Sequence, residues 1–477
     1  MVLGVLTVPE PAVAATFTYP GPGCGSTLQA CINGAPAGSM IRVAAASVDE
    51  KITISKSLTL TKASGASPVI GGTTPRDFRV RSPQDKTIKV VISDLSIMNM
   101  NMYVDLNGGR GHSFKFMNSA LEGRDDSSNG STGLGIYATD TNINVEIASS
   151  TITADGTPLD MTASATFGTS NFHVHGNDIS ALDGLNSSQG IGMNASGNGA
   201  VNARLHSNVV HDVASCGCGS PGAIRVRVDG SNDANVSVAN NTVDDSLADG
   251  IRFTTSASTE TVRADFMVFN NTVTDTDNGL SAPSYHPDIT FLNGYNNFHF
   301  NADPPEFSDY GEGPGTMSVD PLFVDEANEN YRLQSSSPLR NVGRYLIPGG
   351  TSQKDAANKA RVSENQVDVG AYETSSRKKC TIIGTSNNDL LQGTPTSDVI
   401  CGDGGNDRIF GRGGNDRILG GGDEDVLVGN SGSDTLLGGD AADKLDSRDG
   451  VKGNDKMSGQ AGPDGCKGDP KDTKKSC

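Results

Sequence analysis

The chain has 477 residues, a formal net charge of −19, 59 glycines and no tryptophan, and 35% of it is hydrophobic. So acidic a chain argues against nucleic acid and anionic membranes as partners, and no stretch approaches the ~20 apolar residues needed to span a bilayer. The length allows two or three domains with a sizeable core. Short aliphatic pairs among Asn, Ser, Thr and Gly predict many short strands and little helix.

Residues 1–15 combine a short apolar run with Ala12-Val13-Ala14, a site like that before signal-peptidase cleavage, but include Glu10 and lack a basic start. The expectation is a signal peptide truncated at its beginning; an extended N-terminal arm is the alternative. Residues 27–33 fit one amphipathic helix, after which the text alternates like strands. Between about 90 and 300, Asn-x-aliphatic recurs at Asn177, Asn208, Asn241 and Asn271, with spacings of 31, 33 and 30. A glycine followed closely by an aliphatic recurs in step, at Gly190, Gly222, Gly250 and Gly279. Two markers in phase predict one coil per interval, several short strands in each coil, and asparagines stacked in a ladder.

The opening helix and this repeat resemble secreted right-handed parallel β-helix proteins, in which a short helix covers the first coil. Residues 318–343 and 367–373 (VDVGAYE) resemble the closing part of the choice-of-anchor Q proteins. That resemblance implies a secreted or surface protein and assigns no reaction.

From Gly384 to Lys467 nine units of nine residues repeat glycine, four small or polar residues, aspartate, any residue and an aliphatic, with an insertion at Ser447–Asp449. The array resembles the RTX calcium-binding repeat, which implies two units per coil and calcium ions held between stacked turns. The implied ligands are Asp389, Asp398, Asp407, Asp416, Asp425, Asp434, Asp443 and Asp455, with Gly404, Gly413 and Gly422 in the turns. The predicted fold is therefore all-β: a right-handed parallel β-helix over residues 16–375, then an RTX parallel β-roll over 376–477.

The eight cysteines form four close pairs: Cys24 with Cys31, Cys216 with Cys218, Cys380 with Cys401, and Cys466 with Cys477. Such pairing suits disulfides in an oxidising compartment, two of them bracketing the repeats. Cys216-Gly-Cys218 is the odd pair, because so short a bridge is strained.

Signatures of polygalacturonases, pectate lyases and alginate epimerases are missing from the β-helix. Aligning coils on the asparagine marker nevertheless places Lys115, Glu146, His173 and Arg204 in one column, and Met117, Ala148, His175 and His206 in the next on the same face. Phe116, Ile147, Val174 and Leu205 then point inward. The strip has parts for proton abstraction beside a uronate carboxylate, with Arg204 or Lys115 neutralising and a histidine as base or acid; the bland alternative is a ladder of weak surface pairs. All six ionisable residues are expected to be at least partly exposed. His206, His211, Cys216 and Cys218 form a poor metal set, and Arg225 and Arg252 suit either an anion or pairing with Asp229 or Asp249. The function expected is thus a secreted calcium-binding protein whose β-helix binds extracellular or cell-wall polysaccharide or surface partners; the alternative is a calcium-dependent lyase or epimerase of an acidic polysaccharide.

Overall fold

The computed structural model describes residues 14–477 except 85, 110, 125–131, 166–167, 183–188, 214–220, 230–232, 256–261, 345–346, 348–353, 362–366, 374–379, 386, 404, 440 and 461. Residues 1–13 of the expected signal peptide, Cys216, Cys218 and Gly404 thus lie outside the described residues. Packing divides the chain into two compact units. One holds residues up to Tyr331 with Asp355–Asn358 and Val369–Tyr372, and the other holds Arg332–Lys354, Lys359–Asp368 and Glu373–Cys477. The segment expected to close the β-helix is therefore shared between them.

The first unit is a right-handed parallel β-helix of three sheets. Sheet A has 11 strands, sheet B has ten and sheet C has nine. Each coil adds one strand to C, then A, then B, as in Gly222–Asp229, Asp233–Ala239 and Thr242–Ser246. Alternate residues turn inward and stack on their equivalents one coil away: Phe116, Ile147, Val174 and Leu205 are all fully buried, with Val174 paired to Leu205. Period-two patterning is what fixes this, because a one-residue slip would send every aliphatic to water.

The helix Leu28–Gly34 covers the first coil, burying Leu28, Cys31 and Ile32. The Thr27 hydroxyl accepts from the Ala30 amide, and the Glu50 carboxylate accepts from the Leu28 and Gln29 amides at 2.8 and 2.9 Å. Its first-turn donors are thus met without water. A Cys24–Cys31 disulfide ties the helix to the loop that precedes it.

At the corner between sheets A and B, buried Asn177, Asn208, Asn241 and Asn271 form the expected ladder, and Asn296 extends it. Ser119 and Ser150 take the same place in the two coils before it. The returning stretch Val369–Tyr372 lies over this corner: the Gly370 amide donates to the Asn270 carbonyl, and the Ala371 amide to the Thr242 hydroxyl at 2.9 Å. Gly370 has φ +107 there, and a Cβ would come within 2.9 Å of the Thr242 hydroxyl, so glycine is required.

In the second unit the repeat array forms a six-stranded and a five-stranded parallel sheet. Each unit pairs with the unit two places on, as Ile400 with Ile418 and Ile418 with Leu436. Two units therefore make one coil. A single file of Ile400, Ile409, Ile418, Leu427, Leu436, Leu445 and Met457 is the core between the sheets. Disulfides Cys380–Cys401 and Cys466–Cys477 close the two ends.

Candidate functional site

The aspartate of each nine-residue unit turns into the array, because the strand residue after it faces outward and the next is the core aliphatic. Its Oδ1 accepts from the backbone amide of the aspartate one coil earlier, as Asp425 from Asp407 and Asp434 from Asp416, both at 2.8 Å. Asp407 and Asp443 stand in the same ladder. Oδ2 is left over. In Asp416, Asp425, Asp434, Asp455 and Asp464 that oxygen is buried without a hydrogen-bond partner. It lies against the first glycine of its own unit, where any Cβ would collide with it, as at Gly420 and Gly429. Burial, with repulsion from neighbouring aspartates, pushes Asp425 up to about 8 and Asp434 and Asp455 up to about 6. A dry row of unmatched carboxylate oxygens fits a hard divalent cation such as calcium.

The first two units differ. Thr385 donates its amide and hydroxyl to Asp389 Oδ2 at 2.6 and 2.8 Å, and Thr394 does the same for Asp398. Burial works against the charge of Asp398, yet the Thr394 and Thr381 hydrogen bonds outweigh it and hold the carboxyl below its ordinary range. These two carboxylates are already satisfied by protein. Gly422 lies in a turn as expected, whereas Gly413 ends the strand Arg408–Gly413, paired with Ser431; both are half-buried.

Residues 383–418 and 419–451 each match the family described as RTX calcium-binding nonapeptide repeat (4 copies). Residues 383–451 are RTX calcium-binding repeats. No curated protein matches the chain. Among solved structures it is similar to the crystal structure of pectate lyase Pel9A, at 14% identity and a TM-score of 0.44, over 76% of this chain and 97% of that one. So distant a likeness transfers no chemistry, and the β-helix must be read from its own residues, as the RTX array was.

On sheet A, Lys115, Glu146, His173 and Arg204 are successive partners in one column, and Met117, Ala148, His175 and His206 in the next. Lys115 meets Glu146 at 2.5 Å, and that hydrogen bond chiefly holds the Glu146 carboxyl low. His173 and His175 stack with ring centroids 4.2 Å apart, and His175 Nε2 lies 3.7 Å from Glu146. Burial first, then His175 and Arg204, push His173 down to about 4, so it is neutral at pH 7. Arg204 is exposed.

His206 departs from expectation. It is 1% exposed, with Nε2 2.8 Å from the Ser237 hydroxyl. The same corner is covered in the coils around it, by Asp355 against Gly176 and by Gly370 on Asn270. The strip therefore presents two imidazoles rather than three. Two other clustered histidines are also structural. His112 is buried with both ring nitrogens engaged, and His211 lies 2.9 Å from Asp178 and 2.6 Å from Asp212. Burial alone would lower His211, but the two carboxylates overcome it and raise it to about 9. Both ring nitrogens of His211 are thus engaged by carboxylates and His206 is turned to Ser237, while Cys216 and Cys218 of the same set lie outside the described residues.

One further outward column runs beside these. Asn144, Asn171, Asn202 and Asn235 pair across the coils, with side-chain amide bonds of 3.0, 2.9 and 3.4 Å between them. The connections bordering this face are short, such as residues 140–142 before Ile143–Ala148 and 149–150 after it.

A pocket of about 470 Å³ on the sheet B side escaped sequence reasoning. It is lined by Asp212, Asp244, Asp245, Asp275, Glu326, Glu329 and Tyr331. Asp212, Asp245 and Asp275 share a left-handed turn position in consecutive coils, four residues after the asparagine marker, which is the signal that could have disclosed them. Asp244, 3% exposed, accepts from the Thr274 and Tyr331 hydroxyls, and burial pushes it up to about 6. A carboxyl raised above its unfolded value stabilises the fold fully below about pH 4, and loses that contribution as pH rises through about 6. Asp244→Asn is expected to raise stability at pH 8 by up to about 3 kcal/mol and to leave it unchanged at pH 4. Thermal melts of the full chain in calcium measure both, and an equal effect at the two pH values would show that the carboxyl is not held protonated.

Proposed function

We propose that this protein is an extracellular, calcium-folded binding protein whose β-helix holds an extended glycan on the outer face of sheet A without turning it over. The observation that carries this reading is the array of amides and imidazoles in adjacent columns. Such columns repeat at the ~4.8 Å rung of a parallel sheet, and an amide offers both a donor and an acceptor at each rung. Repeated, uncharged hydrogen-bonding groups suit the hydroxyls of a regular polysaccharide.

The same face is a poor catalyst. Lys115 is engaged by Glu146, His173 has little affinity for a proton, and His206 is buried. Proton abstraction wants a base poised near the working pH. Secretion is supported by the three disulfides described and by the calcium-binding repeats.

The test is affinity electrophoresis of the full chain in millimolar calcium through gels containing neutral or acidic glycans, with ultraviolet absorbance followed for unsaturated product. At least one glycan should retard the protein, the double variant Asn171→Ala/Asn202→Ala should migrate freely in that gel, and absorbance should stay flat. Free migration on every glycan would refute the reading, whereas rising absorbance would replace it with a lyase.

A further inference from the structure

The outer face of sheet C carries a second, differently built cluster. Taking one column rung by rung, Tyr103, Gly135, Asp160, Gly192, Arg225 and Arg252 are successive register partners. The two glycines make room for side chains from elsewhere. A Cβ on Gly135 would come within 2.8 Å of the Tyr137 hydroxyl, so that ring folds back over the column; at Gly192 the space is filled by the Gln189 amide. The face therefore presents, in order, two phenol rings, a carboxyl, an amide and two guanidinium groups.

Charge pairing along this face is uneven. Arg252 is bonded to Asp249, which the Ser281 hydroxyl also holds at 2.7 Å, and Arg227 to Asp229 at 2.5 Å. Arg225 has no carboxylate at ion-pair distance among the described residues. Its Nη1 makes only long contacts, 3.4 Å to Gln189 and 3.4 Å to Asn194, and its Nε is shielded from water with no hydrogen-bond partner. The nearest acid in its column, Asp160, is two rungs away and bonded to the Asn194 amide at 3.1 Å. Sequence reasoning left Arg225 and Arg252 between anion binding and internal pairing; Arg252 takes the second course and Arg225 does not.

A half-buried guanidinium with unmet donors is costly unless something completes it. Its present contacts are weak, so the side chain forfeits little by turning to an incoming carboxylate, which a guanidinium grips through paired N–H groups. Polar groups and a ring lie in line at rung spacing on one side of it, matching a sugar chain that runs along the helix axis.

We infer that the outer face of sheet C binds an acidic oligosaccharide, with Arg225 holding the carboxylate of one uronate residue and Asn194, Asp160 and Tyr137 contacting the residues beside it. This site is separate from the glycan surface proposed on sheet A and stands or falls independently of it.

The test is titration calorimetry of the full chain in millimolar calcium, with oligogalacturonate and oligomannuronate as acidic probes, cello-oligosaccharide as the neutral probe and inorganic phosphate as the plain anion. One of the two uronates should bind, more weakly as sodium chloride is raised, and phosphate should not compete at equal concentration. Arg225→Gln should abolish that binding, and Arg225→Lys should weaken it on the order of tenfold, since lysine keeps the charge but loses the fork. Arg225→Gln should melt no lower than the parent, because it removes an unsatisfied group, so loss of binding will not reflect unfolding. All these titrations are made in the Asn171→Ala/Asn202→Ala background, which removes any uronate held on sheet A and so isolates the sheet C site. Uronate binding that persists in Arg225→Gln, phosphate displacing it, or no uronate binding at all would overturn the inference.

Discussion

Chelating calcium from the full chain is expected to unfold the RTX array while the β-helix coils keep their strand signal. The array's core between its two sheets is one file of seven apolar residues, a thin source of burial energy beside the chain entropy lost in ordering the repeats. Buried Oδ2 atoms on Asp416, Asp425, Asp434, Asp455 and Asp464 add further cost while they lack partners. Only a bound cation converts those oxygens from a penalty into ligands, which ties folding to calcium.

The variants sharpen this. Asp425→Ala should raise the calcium concentration at the folding midpoint severalfold or more and lower the number of ions bound. Asp398→Ala should lower stability by about 1–2 kcal/mol through the lost Thr394 bonds yet leave the ion count unchanged. Circular dichroism against free calcium, with equilibrium dialysis for stoichiometry, separates the two; equal losses of bound calcium would mean that the threonine-closed turns also take ions.

Much of this architecture was legible because each coil repeats a few physical necessities. Glycine marks turns that no side chain fits, aspartate recurs where oxygen is needed, and the aliphatic two residues on marks the inside. A period of two then fixes which ionisable residues share a column, so Lys115, Glu146, His173 and Arg204 could be aligned from the sequence. What stayed hidden depends on distant chain. His206 occupies the same strand position as half-buried His175, and its burial follows from a corner covered by residues more than a hundred positions away. The acidic pocket draws Glu326 and Glu329 from beyond the last coil, and Tyr137 on sheet C belongs to a coil whose corner holds Ser150 in place of the asparagine marker. Asn296 was missed because its coil is short, with 25 residues from Asn271 where earlier intervals run near thirty.

The largest single-residue effect in the β-helix should come from that ladder. Asn241 is completely buried, and its Oδ1 accepts from the Asn208 amide at 2.9 Å and from Asn208 Nδ2 at 3.1 Å. Its Nδ2 donates to the Leu205 carbonyl at 2.8 Å and to Asn271 Oδ1 at 3.0 Å. Asn241→Ala removes all four bonds and strands the Asn208 amide and the Leu205 carbonyl where no water reaches. At about 1–3 kcal/mol for each buried group left unmet, the loss should total about 3–6 kcal/mol, a large fraction of the stability of an ordinary domain. Asn171→Ala, in the outward ladder, also breaks side-chain amide bonds, but water can replace them and the loss should stay under about 1 kcal/mol. Denaturant unfolding of the two variants in calcium compares them directly. A similar small shift in both would mean that water enters the corner when the amide is removed, and that the buried ladder sets the register of the coils without holding them together.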